Sequence, residues 1–117
     1  MTGSCALSGE DAKLVTLARA ARARTQAVEG AAVRDADGRT YAAASVALPS
    51  LALSALQVCV AMAVTSGARR LETAVLLRDG TPALSDPDRA ALSDLTGPGV
   101  PVHLADPAGS VSETTTT

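Results

Sequence analysis

Few side chains in this chain of 117 residues carry reactive chemistry, and they are scattered. There is one histidine, His103, and there are two cysteines, Cys5 and Cys59. His103 alternates with Val102 and Leu104 in "VPVHLAD", so it faces away from them and reads as a satisfied strand histidine rather than a ligand. Cys59 lies on an apolar stretch and reads as a buried structural thiol. The two cysteines stand too far apart to suggest a disulfide framework, and a reducing cytoplasm is expected. In "LSDPDRAALSDLTG" the spacing Ser85-x-x-Asp88 is that of a capping box, with the acid in the positive first turn of a helix. That reading is preferred to Asp88 as a metal ligand. Asp86, Asp88 and His103 are the residues replaced chemistry would use, but none has a partner at a meaningful spacing.

The elements that must position these residues follow from punctuation and periodicity. "SGEDAKLVTLARAARART" predicts a first helix, with Ser8 and Asp11 as a capping box and Leu14, Leu17, Ala18 and Ala21 on one face. "GAAVRDADGRTYAAASVAL" predicts a hairpin of small-residue strands turning at residues 35–38, where Gly38 supplies a positive φ. Pro49-Ser50 is the expected start of an apolar helix running through Thr65 and stopped by Gly67. "LETAVLLR" reads as a buried strand, and Ser85, Pro87 and Gly97 bound a further helix. "VPVHLAD" is the last full strand, "SVS" a short edge strand after the "PAG" turn, and residues 113–117 a disordered tail. Residues 1–8 are expected to be flexible, leaving one domain over 9–112. The order α-β-β-α-β-α-β implies an α/β fold, a central mixed sheet flanked by helices.

Composition narrows the functions available. There is no Phe or Trp and one Tyr, so the core rests on Ala, Val and Leu. Small side chains bury little area each, at about 25 cal/mol per Å², and the positive mean hydropathy also points to further burial by self-association. No charge falls between Arg39 and Arg69, but Pro49 breaks that stretch and polar residues interrupt it, so no membrane span is expected. A helix held between the sheet and another subunit accounts for its apolarity. Net charge is −2, and nucleic acid is not an expected partner. Arg19, Arg22 and Arg24 read as a solvated helix face; an acidic or RNA partner is the lesser reading, with no aromatic residue nearby to stack on bases. Arg69 and Arg70 mark an exposed helix exit, and no phosphate-loop or dinucleotide fingerprint occurs.

From about Asp11 to Gly109 the order of elements and three short strings resemble the small zinc-dependent cytidine deaminases. "GAAVRDADGRTYAAASV" is similar to their opening hairpin, whose second strand ends in Asn-x-Glu. "SALQVCVAMAVTSG" is similar to their "CAER…AVSEG" helix, with Ala63, Val64 and Gly67 in register. "LSDPDRAALSDL" is similar to "PCGxCRQVLxEL", anchored by Arg89, Leu92 and Leu95. The resemblance implies a three-layer sandwich. It also implies where the chemistry would sit: three zinc thiolates at Ser54, Ser85 and Asp88, and the proton-shuttling Glu at Leu56. The ribose-holding Asn and Glu would fall on Ser45 and Ala47, with a slightly shorter connection to the helix.

These positions therefore form a vestigial pocket, with no catalytic residue, no metal and no cofactor expected. Hydroxyls are poor zinc ligands beside thiolates, and leucine accepts no proton. The expected function is a catalytically inactive, self-associating interaction module, a dimer or tetramer through the apolar helix, as the family's small members are homotetramers. Two alternatives stand beside it: a binder of a small, nucleoside-like ligand in a slot lined by Ser45, Ser54, Leu56 and Ser85, and a hydrolase of non-standard chemistry.

Overall fold

The computed structural model describes residues 7–80 and 83–117. Helix α1 (Gly9–Thr25) leads into strands β1 (Glu29–Asp35) and β2 (Thr40–Ala44). A small hairpin, β3 (Val46–Leu48) and β4 (Leu51–Leu53), precedes helix α2 (Ala55–Thr65). Strand β5 (Leu71–Arg78), helix α3 (Asp86–Thr96) and strands β6 (Pro101–Ala105) and β7 (Val111–Thr116) complete the chain. The main sheet runs β2-β1-β5-β6-β7, with β5 and β6 parallel and the other pairs antiparallel.

Strand alternation assigns each apolar residue to a layer. Ala31, Val33, Leu76, Val102 and Leu104 meet Leu56, Cys59, Ala63 and Leu92 under α2 and α3. Ala32, Val75, Leu77 and Ala105 meet Leu14, Val15 and Ala18 of α1 on the other face. The result is an α/β three-layer sandwich with a mixed central sheet. β1 and β5 are buried on both faces, so they read as continuous apolar runs. Among the described residues, no helix is long and apolar enough to cross a membrane.

Four expectations need correction. The apolar helix does not begin at Pro49-Ser50; those residues form the turn between β3 and β4, and the helix starts after Ser54. The preset φ of Pro49 suits a turn's first corner as well as a helix's first turn. At Ser54 the hydroxyl accepts from Gln57 N at 3.0 Å while Gln57 Oε1 accepts from Ser54 N at 2.9 Å, a complete capping box. The hairpin's second strand ends at Ala44, and residues 46–48 turn into the small sheet instead.

Residues 113–117 are not a disordered tail. Glu113, Thr114, Thr115 and Thr116 pair with Leu104, His103, Val102 and Pro101, and Thr117 N donates to Val100 O. β6 needs a partner on its outer side, and β-branched threonines suit a pleated edge. Leu17 is largely outside the buried face of α1, where Val15 joins Leu14, Ala18 and Ala21. Of the flexible start expected over 1–8, residues 1–6 lie outside the described residues. Leu7 packs against the α1-side core and Ser8 Oγ accepts from Asp11 N at 3.0 Å.

Candidate functional site at the joined helix starts

Helices α2 and α3 begin side by side, each with a serine at its N-cap. Ser85 Oγ accepts from Asp88 N at 3.2 Å, and Pro87 sits in the first turn, where its missing N–H costs nothing. The Asp88 carboxylate does not return to the Ser85 backbone, as a full capping box would require. Instead Asp88 Oδ1 accepts from Ser54 Oγ at 2.5 Å. One hydroxyl thus caps its own helix and donates to the neighbouring one. Asp88 is 2% exposed, so this bond is screened little by solvent.

A second carboxylate closes the group from the sheet. Glu29, at the start of β1, is buried, and its Oε1 accepts from Ala55 N, the first N–H of α2, at 3.2 Å. Its Oε2 faces Arg78 Nη1 at 3.3 Å. Ser45 Oγ accepts from Glu29 N at 3.1 Å, and Ser45 N donates to Glu29 O. Both acids stand where a helix N-terminus favours negative charge.

The structure therefore brings together Ser54, Ser85 and Asp88, and joins Ser45 to the α2 start through Glu29. Leu56 is fully buried in the core beneath α2. Ala47 is exposed on β3 and joins nothing here. Glu29, Gln57 and Arg78 were missed from sequence. Gln57 was legible as the third residue after a serine before an apolar run. Glu29 carried only a faint signal, a single acid opening an apolar strand.

Cys59 sits on the buried face of α2, its Sγ 3.6 Å from Tyr41 O. Burial pushes its thiol up to about 12, so it remains protonated and inert.

His103 lies on the opposite side of the sheet from Asp88, so the two cannot act together. Its partner comes from far away in sequence: Nε2 lies 2.9 Å from Asp11 Oδ2, and Nδ1 2.8 Å from Thr114 Oγ1. Arg34 Nη2 donates to Asp11 Oδ1 at 2.9 Å, and Arg34 Nε to Glu72 Oε1 at 3.1 Å. Burial raises the Asp11 carboxyl, but hydrogen bonds from His103 and Arg34 outweigh it and hold the group below the usual carboxylate range. Asp86 is exposed at the first turn of α3. Among the described residues, no three His, Cys, Asp or Glu side chains gather to hold a metal.

Comparison with known proteins places this geometry. The family described as cytidine deaminase-like matches residues 7–109. No curated protein matches. Among solved structures, a cytidine deaminase from Burkholderia pseudomallei is 22% identical with a TM-score of 0.79, covering 93% of this chain and 92% of that one. A cytidine deaminase from Mycobacterium leprae is 23% identical with a TM-score of 0.72, covering 94% of each chain. One from Mycobacterium tuberculosis is 23% identical with a TM-score of 0.68, covering 77% and 80%. At these identities the structural likeness speaks to fold. With the order of elements, the adjoining helix starts and a family match over most of its length, the chain belongs to the cytidine deaminase-like family.

Proposed function

We propose that this chain is a catalytically silent member of its family that serves as a self-associating interaction module. The observation that carries the reading is the 2.5 Å hydrogen bond from Ser54 to Asp88 between the two helix starts. The resemblance puts three zinc thiolates at Ser54, Ser85 and Asp88. Two hydroxyls and a carboxylate replace them, and all three already serve as helix caps or cap partners. That donor set does not fit a zinc ion that draws its affinity from soft sulfur. The general acid/base position is Leu56, an aliphatic side chain packed in the core. A hydrogen bond within the chain joins the two helix starts, a fastening that needs no metal.

The self-associating part is supported by apolar surface on the same helix. α2 buries Ala55, Leu56, Cys59 and Ala63 and leaves Met62 and Val64 outward. Leu48 and Leu51 of the β3–β4 hairpin are also exposed. Between α2 and α3 runs a groove of about 250 Å³ lined by Val60, Val64, Ala91, Asp94 and Leu95. A core built without Phe or Trp gains from extending burial to a second copy of the chain.

Two measurements test the parts separately. Purified protein is assayed for zinc content and for cytidine deamination; neither is expected, and stoichiometric zinc or turnover overturns the silent reading. The triple variant Ser54→Cys, Ser85→Cys, Asp88→Cys is expected to recover zinc binding, because it restores the donors to helix starts that already adjoin. Light scattering at micromolar concentration is expected to find a dimer or tetramer, reduced by Val64→Asp. A monomer would overturn the interaction module.

A further inference from the structure

Away from the joined helix starts, α1 carries a groove of about 330 Å³ lined by Thr16, Arg19, Ala20, Arg22, Ala23 and Pro107. Residues 16, 19, 20 and 23 recur at helical spacing and form one stripe, with Arg22 beside it. Two alanines keep the floor low, and Pro107 of the β6–β7 turn stands opposite.

Glycines fix the approach of both arginines. Gly109 has φ +93, and a Cβ there would lie 2.8 Å from Arg19 Cδ and 3.1 Å from Val15 Cγ1. The aliphatic part of Arg19 thus lies flat across the turn. Arg19 is exposed and makes no ion pair among the described residues, so its guanidinium is uncommitted. Gly30 of β1 admits α1 just as closely: a Cβ there would run into Ala18 O and lie 2.7 Å from Arg22 Cβ. Arg22 Nε then donates to Val28 O at 3.4 Å, and its Nη2 stands 3.8 Å from the exposed Asp79. The nearby Asp106 is turned onto Ser110 N at 3.0 Å.

We propose that this groove binds the phosphate group of a small phosphorylated molecule between the Arg19 and Arg22 guanidinium groups. Residues three apart on a helix are surface neighbours, about 5–6 Å apart at Cβ, so two arginine side chains of this length can converge on one phosphate. Guanidinium forks match phosphate oxygens in geometry and charge. The volume sits at the small end of ligand pockets, with room for a phosphate and a compact group carrying it. A nucleic acid fits less well. The chain is net negative, and its one aromatic residue, Tyr41, is buried in the core.

The test is an amide-resolved NMR titration of the full chain with inorganic phosphate, glycerol phosphate and glycerol. Saturable shifts confined to the Thr16–Ala23 segment and the Pro107–Gly109 turn are expected with the two phosphates and not with glycerol. Arg19→Ala and Arg22→Ala should each weaken glycerol phosphate binding about tenfold, while Arg24→Ala changes it less than about twofold. If Arg22→Ala disturbs folding by circular dichroism, Arg19→Ala decides, since Arg19 holds no ion pair. No saturable shift by about 10 mM, or equal losses for Arg24→Ala, overturns the site. Tighter binding of a single-stranded RNA oligomer or anionic vesicles at the same amides overturns the small-molecule assignment.

Discussion

The two faces of the sheet carry two polar clusters, and they are built differently. Under α2 and α3, serines cap helices with neighbours three residues away, and two carboxylates fasten the helix starts to one another and to β1. Under α1, Asp11, Arg34, Glu72, His103 and Thr114 join segments distant in sequence through charge-assisted bonds. The first cluster occupies the place where the family resemblance puts chemistry, yet it does the work of helix capping. The second lies where the resemblance puts nothing, yet it holds the chain's single histidine. In the α1 cluster, partly buried charged side chains dock α1, β1, β5 and β6 against one another.

That contrast ranks what mutations should do. Asp11→Ala takes the carboxylate from the buried His103 and one of two carboxylate partners from the partly buried Arg34, and a loss of about 2–3 kcal/mol is expected in urea unfolding. A loss no larger than that of an ordinary surface change would mean the α1 cluster contributes little to holding the helix. Asp88→Ala removes the bond between helix starts and should cost about 2 kcal/mol, while Asp88→Asn, which keeps an acceptor for Ser54, should cost less. Equal costs for the two would place the effect in the helix dipole rather than in the Ser54 bond. Ser85→Ala removes an exposed cap alone, and about 1 kcal/mol is expected.

Acid separates the clusters in another way. Asp11 is held low as described above. Asp35 is also low: burial raises it, but hydrogen bonds from Tyr41 Oη and from the N–H groups of Arg39 and Asp37 outweigh that. In the unfolded chain both take up protons near 3.8, before the folded chain does. Their stabilisation is therefore complete above that pH and is lost as pH falls below it through the lowered folded values. Thermal melting of Asp11→Asn should lose part of this acid dependence. Ser54→Ala should keep all of it, and an identical flattening in both would erase the distinction between the clusters.

Much of the architecture was legible because it is local. Gly38, Gly67 and Gly97 have positive φ at the ends assigned to them, and Ser85 and Pro87 start α3 as their types require. Alternation put His103 on the face opposite Val102 and Leu104. The helix start at Ser54 was misplaced because two local signals competed. Pro49 is compatible with a turn or a helix start, and only the Ser54–Gln57 pair discriminates. The tail was misread because four threonines have no amphipathic pattern; pairing with β6 makes them a strand.

The order of residues by itself determined where elements begin, which faces are apolar, and which donor types occupy the family's chemical positions, since these depend on neighbours a few residues apart. The tertiary structure alone decided that Asp88 reaches Ser54, that Glu29 caps α2, and that Asp11 meets His103. Those contacts join residues separated by 26 to 92 positions. Their partners are chosen by how the layers stack, because a buried carboxylate must be satisfied by whichever donors packing brings within reach.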